Sequence, residues 1–207
     1  MDTVTPKTQP RTLLQMAGAL PQAVTWAEAV LLLIDVQQEY VSGALPLGPA
    51  GEAAIVAAAR LRAAARDRGA PVIHVTHHGR PGGALFDPET EAVRIVDALT
   101  PAADETVVIK ALPNAFAGTS LEADIRALGR NQILVAGFMI HMCVSSTVRA
   151  ALDLGFRSVV CADACATRDL PLGADVVPAA EVHRAAMAAL ADRFATVLTL
   201  AESLKTA

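Results

Sequence analysis

The chain has 207 residues, 53% of them apolar but only 3% aromatic, with 17 basic and 21 acidic side chains giving a net charge of −4. That length can bury a large core and fits one α/β domain over residues 1–207; scattered basic residues with few aromatics argue against a nucleic-acid partner, and no apolar run approaches the ~18 residues of a membrane span. An odd cysteine count argues against a disulfide framework, and the polar lead, residues 1–12, has no secretory pattern, so the expectation is a soluble cytoplasmic protein with free thiols.

In chain order, Leu13–Leu20 reads as a short helix stopped by Pro21. Val30–Ile34 is a continuous apolar run, the pattern of a strand buried on both faces, and it stops at Asp35. Residues 51–68 form a helix with Ala54, Ala58, Leu61 and Ala65 inward and Gly69 as its stop. Pro71–Thr76 is the second strand, followed by a loop from His77 to Gly83 and a helix over Pro88–Leu99. Thr106–Ile109, the third strand, ends on Lys110. Thr119 and Glu122 have capping-box spacing for a helix that buries Leu121, Ile125 and Leu128 before Gly129. Gln132–Ala136 is the fourth strand, and the helix opening near Cys143 buries Val144, Thr147, Val148 and Ala151. Arg157–Ala162, a helix over Pro178–Arg193 packing through Val182, Ala185, Ala186, Ala189 and Leu190, and a strand at Ala195–Leu200 complete the chain. This alternation predicts a three-layer α/β/α fold around a doubly wound parallel sheet of six strands, with ligands outside the carboxyl ends of the strands.

Asp35, Lys110 and Cys143 all stand at those carboxyl ends. A cysteine in the first turn of a helix meets unpartnered amides and a partial positive charge, which favour a thiolate and can hold an oxyanion. Together the three make a working set for acyl transfer: a carboxylate to take the thiol proton, an ammonium to stabilise anions and a sulfur nucleophile. A buried cysteine capping a core helix, and a structural salt bridge between Asp35 and Lys110, account for the same spacing.

Three segments carry a resemblance. Leu-Leu-Ile-Asp35-Val-Gln-Gln-Glu-Tyr40, Val-Ile-Lys110-Ala-Leu-Pro-Asn-Ala-Phe116 and Ala-Gly137-Phe-Met-Ile-His-Met-Cys143-Val resemble the signature segments of the isochorismatase-like cysteine hydrolases. The resemblance implies a strand order of 3-2-1-4-5-6 and a triad of base Asp35, cationic partner Lys110 and nucleophile Cys143. It further implies a cis peptide between Phe138 and Met139 and an oxyanion hole made by the backbone N–H groups of Met139 and Cys143. Family members with the cysteine hydrolyse C–N bonds of amides, lactams or carbamoyl compounds through a thioester, streptothricin hydrolases among them, whereas those that cleave the vinyl ether of isochorismate lack the thiol. The expectation is therefore hydrolysis of a small-molecule amide or lactam, in a homo-oligomer, dimer or tetramer, as is common in the family.

The chain also departs from the pattern. Nicotinamidases of this family bind a metal after the second strand, but His74 and His77, three apart, would point to opposite faces of a strand, so no metal or other cofactor is expected and His74 reads as a core residue. Ile140 stands where threonine is frequent, which implies a more apolar pocket wall. Tyr40, His78, Arg80 and Phe116 lie in loops over the strand ends, placed either to line the pocket or to pack those loops. Cys161 and Cys165 match no motif and read as buried bystanders. No Gly-x-Ser-x-Gly elbow or phosphate loop occurs. Two alternatives stay open: a noncatalytic small-molecule binder or assembly subunit on the same fold, and vinyl-ether hydrolysis of the isochorismatase type.

Overall fold

The computed structural model describes residues 9–205. Residues 1–8, most of the loosely attached lead, lie outside the described residues. The first element, α1 (Leu13–Met16), is four residues long, shorter than the helix expected to Leu20; Asp192 accepts from the Leu13 amide at 2.9 Å.

The central sheet contains β1 (Ala29–Ile34), β2 (Val72–His77), β3 (Thr106–Lys110), β4 (Gln132–Gly137), β5 (Arg157–Cys165) and β8 (Thr196–Leu198), all parallel. Its order is β3-β2-β1-β4-β5-β8, the expected arrangement; the last strand is numbered eighth because a hairpin, β6 (Leu170–Leu172) with β7 (Asp175–Val177), intervenes. All six residues of β1 and all six of β4 are buried, which is why β1 and the stretch of β4 after Gln132 read as apolar runs. Leu31 and Leu33 face a core built on α2 (Gly48–Asp67) and α6 (Leu200–Ser203). Val30, Leu32 and Ile34 face a second core built on α3 (Leu121–Ala127), α4 (Ser145–Asp153) and α5 (Ala179–Arg193).

Three expectations fail locally. No helix forms over Pro88–Leu99: single 3-10 turns at Glu91–Val93 and Asp97–Leu99 flank an extended stretch. Its backbone groups are taken by the loop after β1, since Arg94 O accepts from Gln38 N at 2.8 Å and Val96 N donates to Val36 O at 3.1 Å. The Thr119–Glu122 capping box is also absent, because the Thr119 hydroxyl donates to Ala115 O at 2.6 Å and Glu122 pairs with Arg126. Ser120 takes the cap position, and Leu128, at the far end, is exposed. On α5, Met187 joins Val182 and Leu190 in the core while Ala185 and Ala189 face outward, so the inward face is rotated from the one expected.

Ahead of β3, Glu105 ties that edge strand to its neighbours, accepting from Arg66 at 2.7 Å, the Ala102 amide at 3.0 Å and His74 at 2.9 Å. Burial alone would raise its pKa, but these three partners together lower it from near 4.5 to about 2. A depressed pKa means that the stability Glu105 contributes is present above the unfolded value and lost as pH falls toward the folded one. Urea titrations should therefore show wild type losing about 2 kcal/mol more than Glu105→Gln as pH falls through that window. Parallel losses in the two proteins would mean that Glu105 contributes nothing.

Candidate active site

Asp35 directly follows β1 with φ +52°, in the left-handed region that aspartate tolerates better than most residues. Lys110 ends β3, two strands away. Cys143 follows β4 through a turn that begins at Gly137, where φ is +128° and a Cβ would stand 2.0 Å from Ile34 O, so only glycine fits. The chain then forms one π-turn over Ile140–Val144, with Val144 N donating to Met139 O at 3.3 Å, before α4 begins. Such widened turns recur at functional sites because they re-aim a side chain relative to the helix that follows. This one puts Cys143 in the core beneath the strand ends.

The three residues meet. Lys110 Nζ lies 2.7 Å from Asp35 Oδ2 and 3.3 Å from Cys143 Sγ, and relative exposure is 0% for Asp35, 2% for Lys110 and 6% for Cys143. The contact to Oδ2 has the distance of an ion pair without the direction of a hydrogen bond, and Oδ1 has no hydrogen-bond partner among the described residues. A buried carboxylate oxygen left open beside a thiol is placed to receive a proton.

Burial sets the electrostatics. It raises the Asp35 carboxyl to about 6 against the opposing pull of Lys110. Burial, reinforced by Asp35, pushes the Cys143 thiol up to about 12, again opposed by Lys110. The sequence favoured a resting thiolate at a helix N-terminus. At Cys143 loss of water and the neighbouring carboxylate act the other way, favouring the thiol against the pull of the ammonium.

The Phe138–Met139 peptide is trans, as are all peptide bonds among the described residues, contrary to the cis bond expected. The change of direction is taken up instead by Gly137 and by a register shift between Val135 and Gly137 where β4 meets β5. The amides around the turn are used unequally: Phe138 N donates to Ile34 O at 2.8 Å and Ile140 N to Ala166 O at 3.0 Å, whereas Met139 N has no hydrogen-bond partner among the described residues. The Cys143 amide belongs to the π-turn.

The pocket residues separate into different surroundings. Tyr40 is buried edge-on between Phe86 and Phe138, with ring centroids 5.4 and 5.5 Å apart; burial, then the charges of Asp35 and Cys143, raise its hydroxyl pKa. His78 is half-buried and donates its amide to Lys110 O at 2.9 Å. Phe116 stacks on Phe156 at 5.9 Å, and Arg80 is exposed. Ile140 is wholly buried in the core around Cys143 rather than lining an open wall. Cys161 and Cys165 are buried in β5. A groove of about 700 Å³ lies behind the π-turn, between His141, Arg149, α5 and the β6–β7 hairpin, and none of Asp35, Lys110 or Cys143 lines it.

The residue missed in the sequence is His77. Its Nδ1 lies 3.1 Å from Lys110 Nζ, while His74, on the opposite face, reaches Glu105. Among the described residues no group of three or more histidine, cysteine or acidic side chains is arranged to hold a metal ion. The only signal for His77 was its position at the carboxyl end of β2, in register with Lys110.

Comparison with known proteins agrees with this architecture. The isochorismatase domain matches residues 29–202. YddQ of Bacillus subtilis, an isochorismatase family protein, is 40% identical over 176 residues, covering 84% of this chain and 98% of its own. Streptothricin hydrolase of Streptomyces noursei is 40% identical over 165 residues, 78% of this chain and 59% of its own. The crystal structure of an isochorismatase from Pseudomonas putida KT2440 superposes with a TM-score of 0.89 at 42% identity, covering 93% of this chain and 98% of that one. The chain belongs to the isochorismatase family.

Proposed function

We propose that this protein hydrolyses a C–N bond of a small amide or lactam through a thioester on Cys143. One observation carries the reading: a single buried ammonium, Lys110, touches both the carboxylate of Asp35 and the sulfur of Cys143. A structural ion pair needs no thiol at its third corner. The relationship to streptothricin hydrolase supports the amide class over vinyl-ether cleavage.

In the first half-reaction the Cys143 proton passes to Asp35 as Sγ adds to the substrate carbonyl carbon. The oxyanion that forms accepts hydrogen bonds from the Met139 amide, which has no partner among the described residues, and from the Cys143 amide of the π-turn. Collapse breaks the C–N bond, and the proton held by Asp35 goes to the leaving nitrogen. In the second half-reaction Asp35 takes a proton from water, the hydroxide adds to the thioester, and the C–S bond breaks as sulfur recovers that proton. Lys110 holds a positive charge beside carboxylate and sulfur throughout. With pKa values near 6 and 12, Asp35 is the resting anion and Cys143 the resting acid at neutral pH, so the proton starts on the sulfur and attack must transfer it.

Asp35 has to be ionised to act, so kcat/KM should rise with pH through a limb centred near 6 and fall about tenfold per unit below it. A rate flat between pH 5 and 8 would remove Asp35 as the base. Turnover should be sought across primary amides, small lactams and carbamoyl compounds, with a vinyl ether alongside; cleavage of the vinyl ether alone would overturn the amide reading.

A further inference from the structure

We infer that His77 is a positioning residue that, as a neutral imidazole, accepts a hydrogen bond from the Lys110 ammonium and so holds it against both Asp35 and Cys143. An ammonium has three hydrogens and no acceptor capacity. Lys110 Nζ has three partners in reach: Asp35 Oδ2 at 2.7 Å, His77 Nδ1 at 3.1 Å and Cys143 Sγ at 3.3 Å. Since nitrogen facing an ammonium can only accept, His77 is fixed as the tautomer with its proton on Nε2. Without this partner Lys110 would lose an acceptor that its ion pair with Asp35, which lacks hydrogen-bond direction, does not replace, and the side chain could rotate away from the sulfur.

The surroundings hold His77 in this role. Gln37, wholly buried, grips its backbone on both sides: Oε1 accepts from His77 N at 2.8 Å and Nε2 donates to His77 O at 3.0 Å. The same Nε2 donates to Val93 O at 2.8 Å, which anchors the clamp to the loop after β2. The imidazole and the Phe86 ring pack in a T-shaped pair, with centroids 4.9 Å apart and planes at 76°. The imidazole also stays uncharged at neutral pH, because burial, Lys110 and His78 hold its pKa down at about 4. A histidine carrying charge here would repel the ammonium it is meant to hold.

Two substitutions separate this role from packing. His77→Gln keeps an acceptor but loses the ring; His77→Phe keeps a ring against Phe86 but loses the acceptor. If Lys110 needs the acceptor, kcat should stay within about threefold in the glutamine variant and fall about 10- to 100-fold in the phenylalanine variant, with KM little changed. Equal rates in the two variants, or a larger loss in glutamine, would overturn the proposal. The kinetic comparison rests on the amide-hydrolase reading, so a second measurement stands apart from turnover. In ¹⁵N-histidine-labelled protein, the His77 resonances, identified by their loss in His77→Gln, should show an Nε2-protonated neutral ring from pH 8 to 5. A proton on Nδ1, or protonation near pH 6.5, would overturn the contact whether or not any amide is hydrolysed.

Discussion

Replacing Cys143 by alanine is expected to lower hydrolysis of any amide the wild type turns over by about 10⁴-fold or more, the scale seen when one member of a nucleophilic set is removed. Folding should be little affected. The side chain is small, and its loss deprives Lys110 of a sulfur acceptor while leaving Asp35 and His77 in contact with the ammonium. Steady-state rates with matched thermal melts check both statements. A variant that melts like wild type and still hydrolyses the amide would take the thiol out of the reaction.

The second large effect is on stability. Asp35 and Lys110 have no exposed side-chain surface, so each charge depends on the other for compensation. Lys110→Met should destabilise the fold by about 3–5 kcal/mol, because it leaves a carboxylate in the core with no cation beside it. Asp35→Asn should also destabilise, through an ammonium left with the neutral His77 and Cys143. The double variant should recover most of the loss, since removing both charges removes the desolvation cost together with the attraction. Chemical denaturation of the four proteins gives the coupling directly. Additive losses would mean that the two charges do not compensate one another. All three variants should also be inactive in amide hydrolysis, which separates the stability of the pair from its use.

How much of this was legible in the sequence differs residue by residue. Asp35, Lys110 and Cys143 could be placed at one end of the sheet because each follows an apolar run and parallel strands deliver their carboxyl ends to the same edge. The strand order was carried by the resemblance of three segments. What sequence could not give were the consequences of depth. Cys143 stands near a helix start, the setting that favours a thiolate, yet its burial beside a carboxylate reverses the direction of its pKa. Ile140 looked like a pocket wall and lies inside the core. His77 drew notice only as a possible companion of His74, whereas its working neighbour comes from the adjacent strand through the register of β2 with β3. Residues 88–99 have helical composition, but the hydrogen bonds they make with the loop after β1 outweigh local preference.

Rapid-quench intact-mass spectrometry, with an amide that the enzyme hydrolyses, reads directly whether Cys143 becomes acylated during turnover. The expected result is a transient adduct with the mass of the acyl group, mapped to the Cys143 peptide, absent from Cys143→Ala and lengthened in lifetime at pH values below about 6, where Asp35 is protonated. Hydrolysis that proceeds at the same rate in Cys143→Ala, with no adduct on the wild-type chain at any quench time, would rule out an acyl-enzyme on Cys143.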